Sequence, residues 1–300
     1  MNAFRYLMTA IYGELLKIFF RFRFLSFHNG INKEETRDRK IIVSLTSYGR
    51  RADKIVRFTI CSLMRQTLKP DVIVLWLDRD KWNENNIPDS LRALTKYGLS
   101  IKYYSINIRS YEKLVPALEA YPNDIIVTCD DDMWYSKGFL EGLYNSYLRN
   151  PGYVYTYGIK QIKRRDDGNI EKYNCWVMPT KQDMSVPSFA LGYCGCLYDK
   201  TLFHKDVMRK DLFMNLCPTA DDVWFFFMEY LAGTHCVLVK RKEPYPIDFF
   251  YQFFHNGSNL ASVNCDEDLN DVQIKNVMDY YGITQCDLWR SYCSKNKKAY

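Results

Sequence analysis

The chain has 300 residues, of which 47% are hydrophobic, 16% aromatic and 25% charged, enough apolar mass for a large buried core. Disordered, collagen-like and disulfide-miniprotein chains are excluded. Lys and Arg number 41 against 35 Asp and Glu, so the net charge is +6 with its excess at the two ends, too mild a balance to point to nucleic acid. Ten cysteines follow no repeated spacing, and several lie in apolar runs, which reads as small buried hydrophobes in a reduced, cytosolic chain. The close-set Cys194-Gly195-Cys196 lacks the second pair and nearby His of a zinc site.

Residues 1–28 place Phe4, Leu7, Met8, Ile11, Leu15, Ile18, Phe19 and Phe22 at three- and four-residue spacing, with Arg5, Lys17, Arg21 and Arg23 among them. That pattern predicts an amphipathic, basic helix. Its charge-free stretch, Tyr6 to Gly13, is far short of the roughly 20 residues needed to span hydrocarbon. Such a helix suits the inner face of an anionic membrane as a peripheral contact, or packing on protein. The polar residues 29–40 read as a linker, and residues 256–300 as a helical extension with a basic tail at Lys295–Lys298.

Between them, residues 41–255 read as one α/β domain. Ile41–Leu45 is a β-branched run, followed by a loop and a helical pattern through Val56, Ile60, Leu63 and Met64. Val72–Leu77 is continuously apolar and ends in Asp78, the signature of a covered parallel strand. A helix at Ser90–Tyr97, a strand at Ile101–Ile106, a helix at Glu112–Ala120 and a strand at Ile125–Cys129 continue the alternation. The class predicted is a Rossmann-type mixed sheet with helices on both faces.

Open sheets of this kind bind ligands beyond the carboxyl ends of their strands. The residues at those ends are Thr46, Ser47 and Arg50, then Asp78, then Asp130, Asp131 and Asp132. Neither G-x-G-x-x-G nor a P-loop is present, which argues against a dinucleotide dehydrogenase and a P-loop NTPase. Three adjacent carboxylates repel unless something positive relieves them, and a divalent cation does so most simply. In an extended turn Asp130 and Asp132 point the same way, so both can face one Mg2+ or Mn2+ while Asp131 points elsewhere. An acidic surface turn or a helix cap is the alternative.

Ile41–Arg51, the strand ending in Asp78, Tyr111–Leu118 and Ile125–Met133 together resemble the bacterial glycosyltransferase family 2-like enzymes of GT-A fold, with Asp130-x-Asp132 matching their D-x-D motif. The resemblance covers residues 40–255. It implies a nucleoside-diphosphate sugar, with UDP as the guess from family habit, and Mn2+ or Mg2+ bridging carboxylates and diphosphate. Gly192–Tyr198 resembles the glycine-bearing strand that lines the donor sugar pocket, and glycines there let backbone approach a ligand, although a bulge or tight turn is an equal reading.

Asp221 and Asp222 open a very apolar helix and resemble the motif that supplies the general base. An attacking sugar hydroxyl must lose a proton, and Asp222, the second acid, is the expected acceptor, with helix capping the sober alternative for both. One base without an obvious nucleophile favours inversion. Lys113 and Arg50 are candidates to face the diphosphate, and His255 resembles a third metal contact. The implied activity is a hexosyltransferase acting on a glycan or lipid-linked hydroxyl in surface polysaccharide synthesis, such as capsule or lipopolysaccharide. A sugar nucleotidyltransferase ranks lower, because its glycine- and lysine-containing loop is missing, and a noncatalytic sugar-nucleotide-binding protein is the third reading.

Overall fold

The computed structural model describes residues 15, 18, 29–34, 36–240, 247–248 and 268–295. The expected amphipathic helix therefore lies outside the described residues, save that Leu15 and Ile18 are helical and exposed. Phe249–Phe254, His255 and the end of the basic tail lie outside them as well. Among the described residues no helix is long and apolar enough to cross a membrane. The alternation read from the sequence is present, and the architecture is mixed α/β.

The chain divides into two compact units, the first holding the residues up to Asn107 together with Glu112–Asn145, the second Ile108–Tyr111, Ser146–Lys240 and the C-terminal helices. In the first, β1 (Ile41–Thr46), β2 (Val72–Asp78), β3 (Leu99–Tyr104) and β4 (Ile125–Thr128) are all parallel, in the order β4-β1-β2-β3. The register pairs Ile42 with Val72 and Ile126, and Val74 with Ser100. β1 carries Ile41, Ile42, Val43 and Leu45 without exposure, as a strand paired on both edges and covered on both faces must. Ser44, the polar residue of that run, accepts from Trp76 Nε1 at 3.0 Å and donates to the Lys113 carbonyl at 2.6 Å, so its burial leaves nothing unpaired.

Helix α1 (Gly49–Lys54) starts directly after β1, at Gly49 with φ +50°, a left-handed turn that only glycine makes without strain. It leads into α2 (Val56–Met64), buried along its length except at Arg57. α3 (Asp89–Thr95), a 3-10 turn over Arg109–Lys113 and α4 (Val115–Ala120) supply the remaining crossovers. The helix expected from Glu112 is thus split, because Pro116 lacks the N–H that a continuous helix needs and fits only near a start. After β4 the chain turns at Asp131–Asp132 into a two-residue strand, β5 (Met133–Trp134), and then into α5 (Phe139–Arg149), which carries it into the second unit.

There β6 (Val154–Thr156) pairs antiparallel with β9 (Cys196–Tyr198) and parallel with β10 (Cys236–Leu238), while β7 (Ile159–Gln161) and β8 (Ser188–Ala190) form a ribbon. α6 (Lys210–Leu216) and α7 (Asp221–Leu231) are followed by α8 (Leu269–Tyr281) and α9 (Gln285–Lys295). The core is aromatic: Tyr111 stacks on Phe213 at 4.0 Å and meets Phe225 edge-on, and Trp224 is fully buried. Cys61, Cys129, Cys194, Cys196, Cys217 and Cys236 are buried free thiols, and Cys175 and Cys286 are exposed ones.

Candidate functional site

The parallel strands of the first unit all deliver their carboxyl ends to one edge, and there the acidic residues collect. Asp131 is buried and accepts from Ser47 Oγ at 2.5 Å and from Arg51 Nη1 at 2.9 Å. Arg51 Nη2 reaches Asp132 at 3.1 Å, so one guanidinium spans two adjacent carboxylates. Asp130 turns to Lys113, whose Nζ lies 2.9 Å away and is itself almost fully buried. Burial pushes the Asp131 carboxyl above its ordinary range, opposed by Arg51 and Ser47 and reinforced by the charge of Asp130.

The turn that carries these acids is held by α2 and by Gln66 just beyond its end. Thr59 Oγ1 donates to the Asp131 carbonyl at 2.8 Å, Ser62 Oγ accepts from the Tyr135 N–H, and Gln66 Nε2 donates to the Ser136 carbonyl. The Asp130 N–H is received by the Tyr135 hydroxyl at 2.9 Å. This turn sets the outcome of the orientation argument. Instead of Asp130 and Asp132 facing one way with Asp131 apart, Asp131 and Asp132 share Arg51 and Asp130 takes Lys113, because the backbone reverses at 131–132 rather than staying extended.

Of the other sequence-derived residues, Thr46 keeps its hydroxyl 3.1 Å from both the Trp76 carbonyl and the buried Glu112 carboxylate. Asp78, at the end of β2, accepts from Asn107 Nδ2 and from the Asp80 N–H, both at 2.9 Å. Ser47, Asp131, Asp132, Asp130 and Lys113 are gathered in paired contacts. Arg50 is exposed on α1, and its neighbour Arg51 makes the contacts with the acids. Arg51, Glu112 and Asn107 are the residues the sequence reading missed. A cation one residue from a chosen one, and an acid beside a chosen Lys, were the available signals.

The second unit brings Gly192 and Asp222 together. Gly192 opens a 3-10 turn (Gly192–Cys194) rather than a strand, and its N–H donates to Asp222 Oδ2 at 3.0 Å. The tight-turn reading of the glycines thus holds, with Gly195 at φ +79°. Asp221 and Asp222 stand in the first turn of α7, where the helix dipole favours negative charge. Two turns on, at a spacing of seven on one helix face, Glu229 is buried, and its carboxyl is pushed well above the usual range by burial first and by the charge of Asp222 second.

Chemically, the first unit's cluster is a hard-oxygen donor set. It suits Mg2+ or Mn2+ and not zinc, and Asp130 and Asp132 both keep part of their surface open to solvent. Among the described residues no group of three or more His, Cys, Asp or Glu side chains is placed to hold a metal ion. Asp130 and Asp132 are each ion-paired with a cation of the chain, Lys113 and Arg51, so a metal ion would share their oxygens with those side chains and take its remaining ligands from elsewhere. His255 lies outside the described residues.

No family model matches the chain, and no curated protein does. Among solved structures it is similar to the mannosyltransferase PcManGT of Pyrobaculum calidifontis in complex with GDP-Man and Mn2+, with 12% identity, 95% of this chain and 81% of that one covered, and a TM-score of 0.45. It is similar to TarS 1–349 of S. aureus at 14% identity and TM-score 0.45, over 80% and 70% of the two chains. The 4-diphosphocytidyl-2C-methyl-D-erythritol synthase of Anaerococcus prevotii matches at 19% identity and TM-score 0.43, over 66% and 86%. At such distances none of these likenesses carries an argument about activity.

Proposed function

We propose that the chain is a glycosyltransferase that moves a sugar from a nucleoside-diphosphate sugar to a hydroxyl of a glycan or lipid-linked acceptor, in surface polysaccharide synthesis. The observation that carries this reading is the acidic turn Asp130–Asp132 at the carboxyl edge of four parallel strands, anchored by Arg51 and Lys113. A cluster that combines carboxylates with two nearly buried cations can hold a hydroxyl-rich, polyanionic donor by both of its parts. Asp78, Thr46 and Ser47 stand at or just past the carboxyl ends of β2 and β1 in the same parallel sheet and supply further acceptors and hydroxyls.

In this reading Asp130 and Asp132 would hold Mn2+ or Mg2+, which when bound supplies positive charge against the diphosphate leaving group. Lys113 and Arg51 are the chain's own cations for the same purpose. Asp222 is assigned the general base and Asp221 a supporting role. The Gly192 N–H fixes one Asp222 oxygen, which supports an oriented carboxylate able to accept a hydroxyl proton. With one base and no assigned nucleophile, the reaction inverts the anomeric centre. The donor is a UDP-sugar in the first instance, and the site of action is the cytoplasmic face of the membrane.

The test is release of nucleoside diphosphate, rather than pyrophosphate, from a panel of nucleotide sugars with Mn2+ present. Turnover of one donor, lost in Asp132→Asn with at least a tenfold fall in donor affinity by calorimetry, is the expected result. A panel with no turnover and no binding, or an Asp132→Asn chain that binds donor as tightly as the natural one, removes the reading.

A further inference from the structure

In the second unit, the end of α6 and one stripe of α8 line an open hollow of about 490 Å³ formed by Asn215, Leu216, Asn276, Asp279 and Tyr280. It is a shallow hollow, open to solvent, rather than an enclosed cavity. Asn276, Asp279 and Tyr280 stand at helical spacings of three and four and so share one face. Ile274, Val277 and Met278 of the same helix are buried, which fixes the pocket stripe outward.

Contacts within and beside the hollow hold its side chains in place. Asn276 Nδ2 donates to the Leu216 carbonyl at 3.3 Å, which pins its carboxamide across the gap between the helices and satisfies a carbonyl at the end of α6. Tyr280 leaves 54% of its surface exposed, yet its ring is braced edge-on by Tyr281 at 4.9 Å, and the Tyr281 hydroxyl is tied to Asp206 at 3.0 Å. Asp279 is ion-paired with Lys275, one turn earlier.

The lining chooses among ligand classes. Three of the five side chains are carboxamide or carboxylate, a poor seat for an apolar partner helix, and Asp279 disfavours a phosphate. What remains is a neutral molecule that offers an apolar face and a rim of hydroxyls. A pyranose has both: axial C–H groups for the exposed ring of Tyr280, and vicinal hydroxyls for planar amide and carboxylate groups. A ring braced in advance also lowers the ordering cost of binding.

We propose that this pocket is a carbohydrate subsite, holding one or two sugar units with a ring face on Tyr280 and hydroxyls on Asn215, Asn276 and Asp279. The further statement that the sugar belongs to the acceptor glycan rests on the glycosyltransferase reading above. The subsite itself does not. The experiment is saturation-transfer NMR on the full chain with maltotriose, cellotriose and chitotriose, without donor or metal. At least one trisaccharide should receive saturation, and Tyr280→Ala should weaken it at least tenfold, Asn276→Ala less, with Tyr280→Phe close to the natural chain because the ring does the stacking.

Three results overturn the proposal: no transfer to any of the three glycans, transfer unchanged in both alanine variants, or concentration-dependent self-association in sedimentation velocity that Tyr280→Ala abolishes. Donor turnover by the natural chain, measured separately, distinguishes the two failures. Glycan binding without turnover sinks the activity and keeps the subsite, and turnover without glycan binding does the reverse.

Discussion

Arg51→Met keeps the aliphatic stem and deletes the guanidinium that spans Asp131 and Asp132. The Asp131 side chain is only 5% exposed, so the variant leaves a buried carboxylate with a single remaining partner, the Ser47 hydroxyl. Removing one side of a buried ion pair costs about 3–5 kcal/mol, and the retained hydroxyl bond sets the expectation at about 3 kcal/mol at pH 8. The loss depends on pH with a definite sign. Burial already raises the folded-state pKa of Asp131, and losing Arg51 raises it further. The folded variant then holds a proton that the unfolded chain has released, so its stability falls as pH climbs from the unfolded value, about 4, through the folded one. Urea unfolding followed by circular dichroism at pH 4.5, 6 and 8 checks this. With a slope near 3 kcal/mol/M, the midpoint at pH 8 should drop by about 1 M, and the drop should shrink toward pH 4.5. Arg51→Met combined with Asp131→Asn should recover most of it. A deficit under about 1 kcal/mol at pH 8, or one that ignores pH, refutes the reasoning.

Asp222→Asn should retain donor affinity while transfer falls by at least about a hundredfold, the contribution expected of a general base; single-turnover kinetics giving a normal rate would remove Asp222 from that role. Glu229→Gln should stabilise the chain at pH 8 and not near pH 4, since the natural carboxyl, raised by burial and Asp222, loses stability as pH rises above its unfolded value. Equal stability of the two chains across that span would contradict it. Gly158→Ala would set a Cβ 2.3 Å from Cys194 Sγ and 2.9 Å from its Cβ, a clash worth about 1–3 kcal/mol. Thermal melts should show Cys194→Ala relieving part of that cost, and a Gly158→Ala chain as stable as the natural one would show that the turn yields freely.

The strands of the first unit were legible because burial on both faces leaves a local mark: Val72–Leu77 and Ile125–Val127 are unbroken apolar runs, Ile41–Leu45 is interrupted only by Ser44, and each became a buried strand. The ends of those strands were legible for the same reason, so Asp78 and Asp130–Asp132 stand where the run of side chains placed them. The Gly192 segment was less so. Its residues permit a strand or a tight turn equally, and the contact of its N–H with an acid thirty residues away accompanies the turn.

Which cation meets which acid was not written locally. Arg51 reaches Asp131 across 80 residues and Lys113 reaches Asp130 across 17; both depend on strand register, and the first also on the phase of α1, which opens at the left-handed Gly49. Arg50 and Arg51 are indistinguishable as sequence; helical phase sends one to solvent and the other to the carboxylates. Composition and periodicity alone thus settled the class of fold and the acidic edge, because burial is a property each segment records in itself. The charge pairing, the reversal at Asp131–Asp132 and the Gly192–Asp222 bond came only with tertiary structure, since a partner's identity depends on where distant backbone brings it.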